Sequence, residues 1–177
     1  MAGGTENNSM SKIFGIGLSR TGTKSLAAAL RILGYNAVHF PPLTQLYELV
    51  DSHDAATDTT VACRYKELDR RYPDSKFILT VRDESSWLIS AERHFKRAAV
   101  FAPWVAEVRT SLYGAVEWDH GTFRTAFRTH NEEVVSYFRA SPERLLIMDI
   151  AGGDGWPHLC RFLNRPLPSE RFPWVKG

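Results

Sequence analysis

The sequence predicts an α/β domain in which helices flank a central parallel sheet joined by right-handed crossovers. Three observations lead there. Short apolar runs recur at residues 12–18, 35–40, 76–81 and 144–150, helical patterns separate them, and turn residues mark the junctions.

Residues 12–18, KIFGIGL, are a short β-branched and aromatic run that stops at a polar, Gly-containing turn, as a buried strand does. Residues 24–33, KSLAAALRIL, repeat Leu26, Leu30 and Leu33 at i, i+4, i+7, and Gly34 follows as the residue that ends the helix. Residues 35–40 stop at Pro41-Pro42, where helical backbone is disfavoured, so they read as a second strand and complete a βαβ unit. Residues 43–50 and 61–72 read as helices. Residues 76–81, KFILTV, form a continuous apolar run of the kind a central parallel strand shows.

From residue 84 to about 137 breakers are few and 3.6-type patterns are long, exemplified by Trp87, Ser90, Ala91, His94 and Phe95, which predicts two or three helices. Residues 144–150, RLLIMDI, are a further strand, followed by the turn GGDG, a short helix over 156–163 and a Pro-rich tail. No repeat or linker divides the chain. Residues 1–11 are polar and Gly/Asn-rich without a hydrophobic core segment, so they read as a flexible tail or expression remnant rather than a secretory signal, and 12–177 as a single domain.

The 177 residues suffice for one core that buries roughly 70% of the unfolded chain's surface without disulfides or a structural metal. With 22 Lys+Arg against 20 Asp+Glu, a net charge of +2 argues against a general nucleic-acid or membrane-surface binder, so any anion site must be local. Cys63 and Cys160 show neither CxxC nor Cys/His spacing, which argues against zinc and for core filling in a reducing, cytoplasmic setting.

The strongest chemical feature is GIGLSRTGTKS, Gly15 to Ser25, between the first strand and its helix. Such a turn aims consecutive backbone N–H groups and the positive end of the helix dipole at one spot, as a phosphate or sulfate requires. Gly17 and Gly22 permit close backbone approach, Arg20 and Lys24 add charge, and Ser19, Thr21, Thr23 and Ser25 add hydroxyls. In a Walker A loop Lys directly follows the second Gly, whereas here Thr23 intervenes between Gly22 and Lys24.

The stretch Arg20-Thr21-Gly22-Thr23 resembles the 5′-phosphosulfate loop of the sulfotransferases, in which a basic residue precedes a [ST]-G-T core. In that family an Arg at a strand end and a Ser eight residues on hold the 3′-phosphate of 3′-phosphoadenosine 5′-phosphosulfate. Here the strand ending at Val81 is followed by Arg82, and Ser90 stands eight residues further on. The resemblance extends to the segment Asp154-Gly155-Trp156-Pro157-His158-Leu159-Cys160-Arg161-Phe162-Leu163, which is similar to that of short sulfotransferase-like proteins.

The resemblance implies a three-layer P-loop NTPase-like fold and sulfuryl transfer from 3′-phosphoadenosine 5′-phosphosulfate to a hydroxyl or amine of a small-molecule acceptor. No metal is required and no nucleic-acid or membrane partner is implied. Ser19, Arg20, Thr21, Gly22, Thr23, Lys24 and Ser25 would take the 5′ end, with Arg20 and Lys24 beside the leaving oxygen; Arg82 and Ser90 would take the 3′-phosphate. The cytosolic enzymes use a His in a T-H-x-P stretch as base, where this chain has Thr57-Asp58-Thr59-Thr60. That substitution makes Asp58 the first base candidate, against a bland role as a helix N-cap, with His39 at the end of the second strand as the competitor. The late Arg-Lys-Gly loop of the cytosolic enzymes has no counterpart in FPWVKG, which implies a weaker cofactor grip.

Two other readings stay open. Lys24-Ser25 together with Leu145 to Asp149, LLIMD, imitates a small P-loop kinase or NTPase with a magnesium-binding Asp. A catalytically idle nucleotide-binding member of the fold is the other. Trp87, Phe95, Phe101, Trp104, Tyr113 and Trp118 serve either an acceptor pocket or the core, and their helical spacing favours the core. His94 reads as a helix-face residue, and His53, His120, His130 and His158 as surface or packing residues.

Overall fold

The computed structural model describes residues 11–97 and 101–176; the tail expected over residues 1–11 lies, apart from Ser11, outside the described residues. Five strands, β1 (Ile13–Gly15), β2 (Ala37–His39), β3 (Ala55–Thr57), β4 (Lys76–Thr80) and β5 (Leu145–Met148), form one parallel sheet in the order β2-β3-β1-β4-β5. Phe14 pairs in register with Ala56 on one side and Phe77 on the other.

The chain leaves β1 toward β2 on one side and leaves β4 toward β5 on the other. Adjacent parallel strands whose connections diverge open a crevice at their carboxyl ends, so the loops after β1 and β4 flank a ready-made ligand site.

Strand alternation divides the core in two, because successive side chains point to opposite faces. Ile13, Ala55, Ile78 and Met148 pack against Leu26, Ala29 and Leu30 of α1 (Thr23–Ile32) and Trp156, Leu159 and Leu163 of α8 (Trp156–Leu163). Phe14, Ala56, Phe77 and Leu79 pack the other way. They meet Leu46 and Val50 of α2 (Leu46–Ser52), Val61 of α3 (Thr59–Ala62), Tyr65 and Leu68 of α4 (Tyr65–Arg71) and Val134 of α7 (His120–Tyr137). A third cluster joins Trp87, Leu88 and Phe95 of α5 (Glu84–Phe95), Tyr113 of α6 (Pro103–Tyr113), and Phe123 and Phe127 of α7. Trp87, Phe95 and Tyr113 therefore belong to the core, and no described helix is long and apolar enough to cross a membrane.

Three local expectations need correction. The first strand ends at Gly15, not Leu18: Ile16 N–H still donates to Ile78 O, 2.9 Å away, but the chain then turns against Thr80. The strand β3 has no counterpart in the periodicity, because Ala55-Ala56-Thr57 is short, buried throughout and of weak strand propensity; pairing on both sides creates it. The single helix expected over 61–72 is two, separated where Arg64 adopts φ −121° and ψ 12°.

Candidate functional site

The loop from Ile16 to Gly22 is fixed from beneath before it meets any ligand. Gly17 lies so close to β4 that a Cβ there would come within 1.9 Å of Thr80 Oγ1. Ser19 is held at both ends of its peptide: its N–H donates to the Tyr113 hydroxyl at 3.1 Å, and its carbonyl accepts from Trp87 Nε1 at 2.9 Å. Arg20 takes φ 74° and Gly22, the N-cap of α1, takes φ 103°; the second is natural for glycine and the first costs strain. The first helical bond runs from Leu26 N–H to Gly22 O, so the N–H groups of Thr23, Lys24 and Ser25 in the first turn have no helical acceptor. That is the arrangement an anion needs.

The second wall comes from the end of β4 and from α5. Arg82 donates from Nε to Ser86 Oγ at 2.6 Å and from Nη1 to Arg20 O at 3.3 Å, so the two loops are tied to each other. Ser90, one turn beyond Ser86, accepts from Arg20 Nε at 3.1 Å. Asp83 is the N-cap of α5, accepting from Ser86 N–H at 2.8 Å.

The third wall is the end of β2 and β3, which pair in register so that His39 lies beside Thr57. Asp58 follows at φ 92° and ψ −174°, a region left almost wholly to glycine. Its carboxylate accepts from Thr59 N–H at 2.6 Å and from Thr23 Oγ1 at 3.2 Å, and sits 3.0 Å from His39 Nε2. The other ring nitrogen, His39 Nδ1, is 2.9 Å from Thr57 Oγ1. Burial pushes the Asp58 carboxyl up, but the hydrogen bond and charge of His39, the Thr59 N–H and the Thr23 hydroxyl together outweigh it, so the pKa lies below the ordinary carboxylate value. Base candidate, cap residue and competing His form one hydrogen-bonded unit.

All three walls face one cleft of about 880 Å³, whose lining includes Ser19, Gly22, Thr23 and Lys24, then Arg82 and Ser90, then His39 and Asp58, with Trp174 and Lys176 at its edge. Among the described residues that line it, Arg20, Lys24, Arg82, Arg93 and Lys176 face the single carboxylate of Asp58. Burial and the neighbouring guanidinium of Arg82 both push the Arg20 pKa down. The strained backbone is concentrated here too: Arg20, Phe40 and Asp58, three of the four described non-glycine residues with positive φ, line this cleft.

Two expected hydroxyl donors point elsewhere. Thr21 is buried and its hydroxyl donates to Leu18 O at 2.7 Å and meets Thr80 Oγ1 at 2.6 Å, so it braces the loop. The Ser25 hydroxyl accepts from Val175 N–H at 2.9 Å, tethering the C-terminal segment to α1. Asp149, the residue that suggested a magnesium site, accepts from Gly152 N–H at 2.7 Å and shapes its own turn. Sequence reasoning missed Ser86, the polar tips of Trp87 and Tyr113, and Thr57. Only Ser86 left a signal, its i, i+4 spacing from Arg82 and to Ser90 along α5.

Comparison with known proteins bears on the family and the fold. A family model described as a sulfotransferase domain matches residues 12–45 and 41–177. Among curated proteins, the Ava biosynthesis cluster protein M of Aspergillus versicolor is 22% identical over 93% of this chain and 80% of its own. Among solved structures, a sulfotransferase from Alicyclobacillus acidocaldarius superposes with a TM-score of 0.59 at 14% identity, covering 89% of this chain and 83% of that one. The mouse sulfotransferase SULT7A1 complexed with PAP gives 0.57 at 16% identity over 92% of this chain, which spans 60% of the mouse protein. The last two likenesses establish the fold.

Proposed function

Since the chain belongs to the sulfotransferase-domain family, and is a transferase by that membership, we propose that it moves a sulfuryl group from 3′-phosphoadenosine 5′-phosphosulfate to a hydroxyl or amine of a small-molecule acceptor. The observation that carries the donor assignment is the sharing of one cleft by Gly22 and Arg82, with cations in large excess along its walls. A nucleotide with a phosphate at each end fits such a cleft in charge. A neighbouring fold is described with PAP bound, which supports the same donor class.

When bound, the donor supplies an activated sulfuryl group; the rest is the work of this chain. At the 5′ end, the first-turn N–H groups of α1 with the Ser19, Arg20, Gly22, Thr23 and Lys24 side of the cleft hold negative charge, and Arg20 and Lys24 stabilise the charge that grows on the leaving phosphate. At the 3′ end, Arg82 offers a two-pronged donor fork, with Ser90 and Ser86 beside it.

Asp58 remains ionised under ordinary conditions and is the group that orients and accepts the acceptor's proton. Its lowered pKa makes it a poor terminal store for that proton, which passes on to solvent, while His39 at 3.0 Å holds the carboxylate in place. Both His39 nitrogens already have partners, so Thr57 acts as its positioning residue. We take the setting to be cytoplasmic, in keeping with two cysteines that form no disulfide, and the partners to be small molecules rather than nucleic acid or membrane.

The test is turnover with 3′-phosphoadenosine 5′-phosphosulfate and a panel of phenols, alcohols and amines, read as release of adenosine 3′,5′-bisphosphate. Acceptor-dependent release that falls at least 100-fold in Asp58→Asn, with nucleotide affinity retained, is the expected result. Tight nucleotide binding without transfer to any acceptor would contradict it.

A further inference from the structure

Beside the main cleft, and sharing Arg20, Arg82, Ser90, Arg93 and His94 with it, lies a pocket of about 290 Å³ whose wall adds Ser86, Ile89 and Arg97. Four guanidinium groups and two hydroxyls thus surround a space that the His39–Asp58 pair does not line. The donors already named for this end are partly engaged: Arg82 Nε holds Ser86, and Arg20 Nε holds Ser90.

Arg93 and Arg97 differ. Ser86, Ser90, Arg93 and Arg97 follow one another at i, i+4, i+7 and i+11, which brings them along one face of α5 and its continuation. Among the described residues neither arginine makes a hydrogen bond or ion pair, and Glu92, whose charge Arg93 also feels, is paired with Lys96 at 2.7 Å. Among the described residues no carboxylate lines this pocket. Burial first, and then the like charges of Arg82 and Arg97, push the Arg20 pKa down, against a smaller opposing pull from Asp58. Four like charges around a space that no described carboxylate lines are costly unless an anion joins them, and a planar guanidinium fork matches the oxygens of a phosphate dianion.

We propose that Arg93 and Arg97 are specificity-determining residues that close on the 3′-phosphate of the nucleotide and let this protein discriminate nucleotides that carry that group from those that lack it. The assignment rests on the donor reading above, in which Arg82 and Ser90 form the base of the same subsite.

Calorimetry with adenosine 3′,5′-bisphosphate and adenosine 5′-monophosphate, at one fixed ionic strength, tests it on the unaltered protein, Arg93→Gln, Arg97→Gln and the double variant. Both side chains are exposed, so the variants should melt with the parent. The expected result is a loss of at least tenfold in bisphosphate affinity in the double variant, with monophosphate affinity within twofold of the parent. A bisphosphate loss below threefold, or an equal loss for both nucleotides, overturns the assignment of Arg93 and Arg97 while leaving the donor reading standing. Failure of the unaltered protein to bind the bisphosphate overturns both.

Discussion

Replacing Gly17 by alanine probes how firmly the first loop is built. The new methyl would lie 1.9 Å from Thr80 Oγ1, 2.6 Å from Thr80 O and 2.7 Å from Thr21 Oγ1. A hydroxyl can rotate away, but the carbonyl is part of β4 and cannot. Overpacking of a tight site costs about 1–3 kcal/mol, and displacement of the Thr21–Thr80 hydroxyl pair adds about 0.5–1.5 kcal/mol. The expected loss is therefore about 3 kcal/mol, or about 6–12 °C in melting temperature for a domain of this size. Urea denaturation followed by far-UV circular dichroism measures it, and adding Thr80→Ala should recover only part, because the carbonyl clash persists. A loss below about 1 kcal/mol for Gly17→Ala would refute the steric account of this loop.

Three further outcomes follow from the same coordinates. Asp58→Gly should be more stable than Asp58→Ala by about 1 kcal/mol in urea denaturation, since both lose the carboxylate but only glycine relieves the backbone at φ 92°; equal stabilities would argue against strain there. Tyr113→Phe leaves the ring stacked on Phe123 but strips Ser19 N–H of its acceptor, so it should cost about 1–3 kcal/mol in chemical denaturation and weaken nucleotide binding severalfold in calorimetry. Because the Asp58 pKa is depressed in the folded state, its stabilising contribution is full above the ordinary carboxyl value of 3.8 and is lost as pH falls below it. The stability gap between the parent and Asp58→Asn should accordingly hold steady from pH 8 to about 5 and close only in stronger acid, as urea titrations at several pH values would show.

Much of this architecture was legible because it is local. Leu26, Leu30 and Leu33 announced α1, and Gly34 ends it at φ 87°, with Tyr35 N–H reaching back to Leu30 O at 3.0 Å. The helix expected at 156–163 is α8, with Trp156, Leu159, Cys160 and Leu163 turned inward. The loop after β1 was equally readable as a tight turn into α1, because its glycines and cations lie within a dozen residues. What escaped is non-local. Whether Asp58 is a cap or a site residue, and whether it or His39 is the better base candidate, looked like rival options along the chain; the register of β2 against β3 makes them partners. The eight-residue spacing of Arg82 and Ser90 said nothing of their own partners, yet Arg82 bonds Ser86 and Ser90 bonds Arg20, because the loops after β1 and β4 cross-brace one another. No period in the sequence encodes that contact.

In the proposed donor site, two loops hold opposite ends of one doubly phosphorylated adenosine. Calorimetry with adenosine 5′-monophosphate, adenosine 3′-monophosphate and the 3′,5′-bisphosphate, against Lys24→Ala and Arg82→Ala, addresses it most directly. Lys24→Ala should weaken the 5′-monophosphate and the bisphosphate at least tenfold and spare the 3′-monophosphate, while Arg82→Ala should do the reverse for the two monophosphates. Equal losses for both monophosphates in either variant would contradict the account.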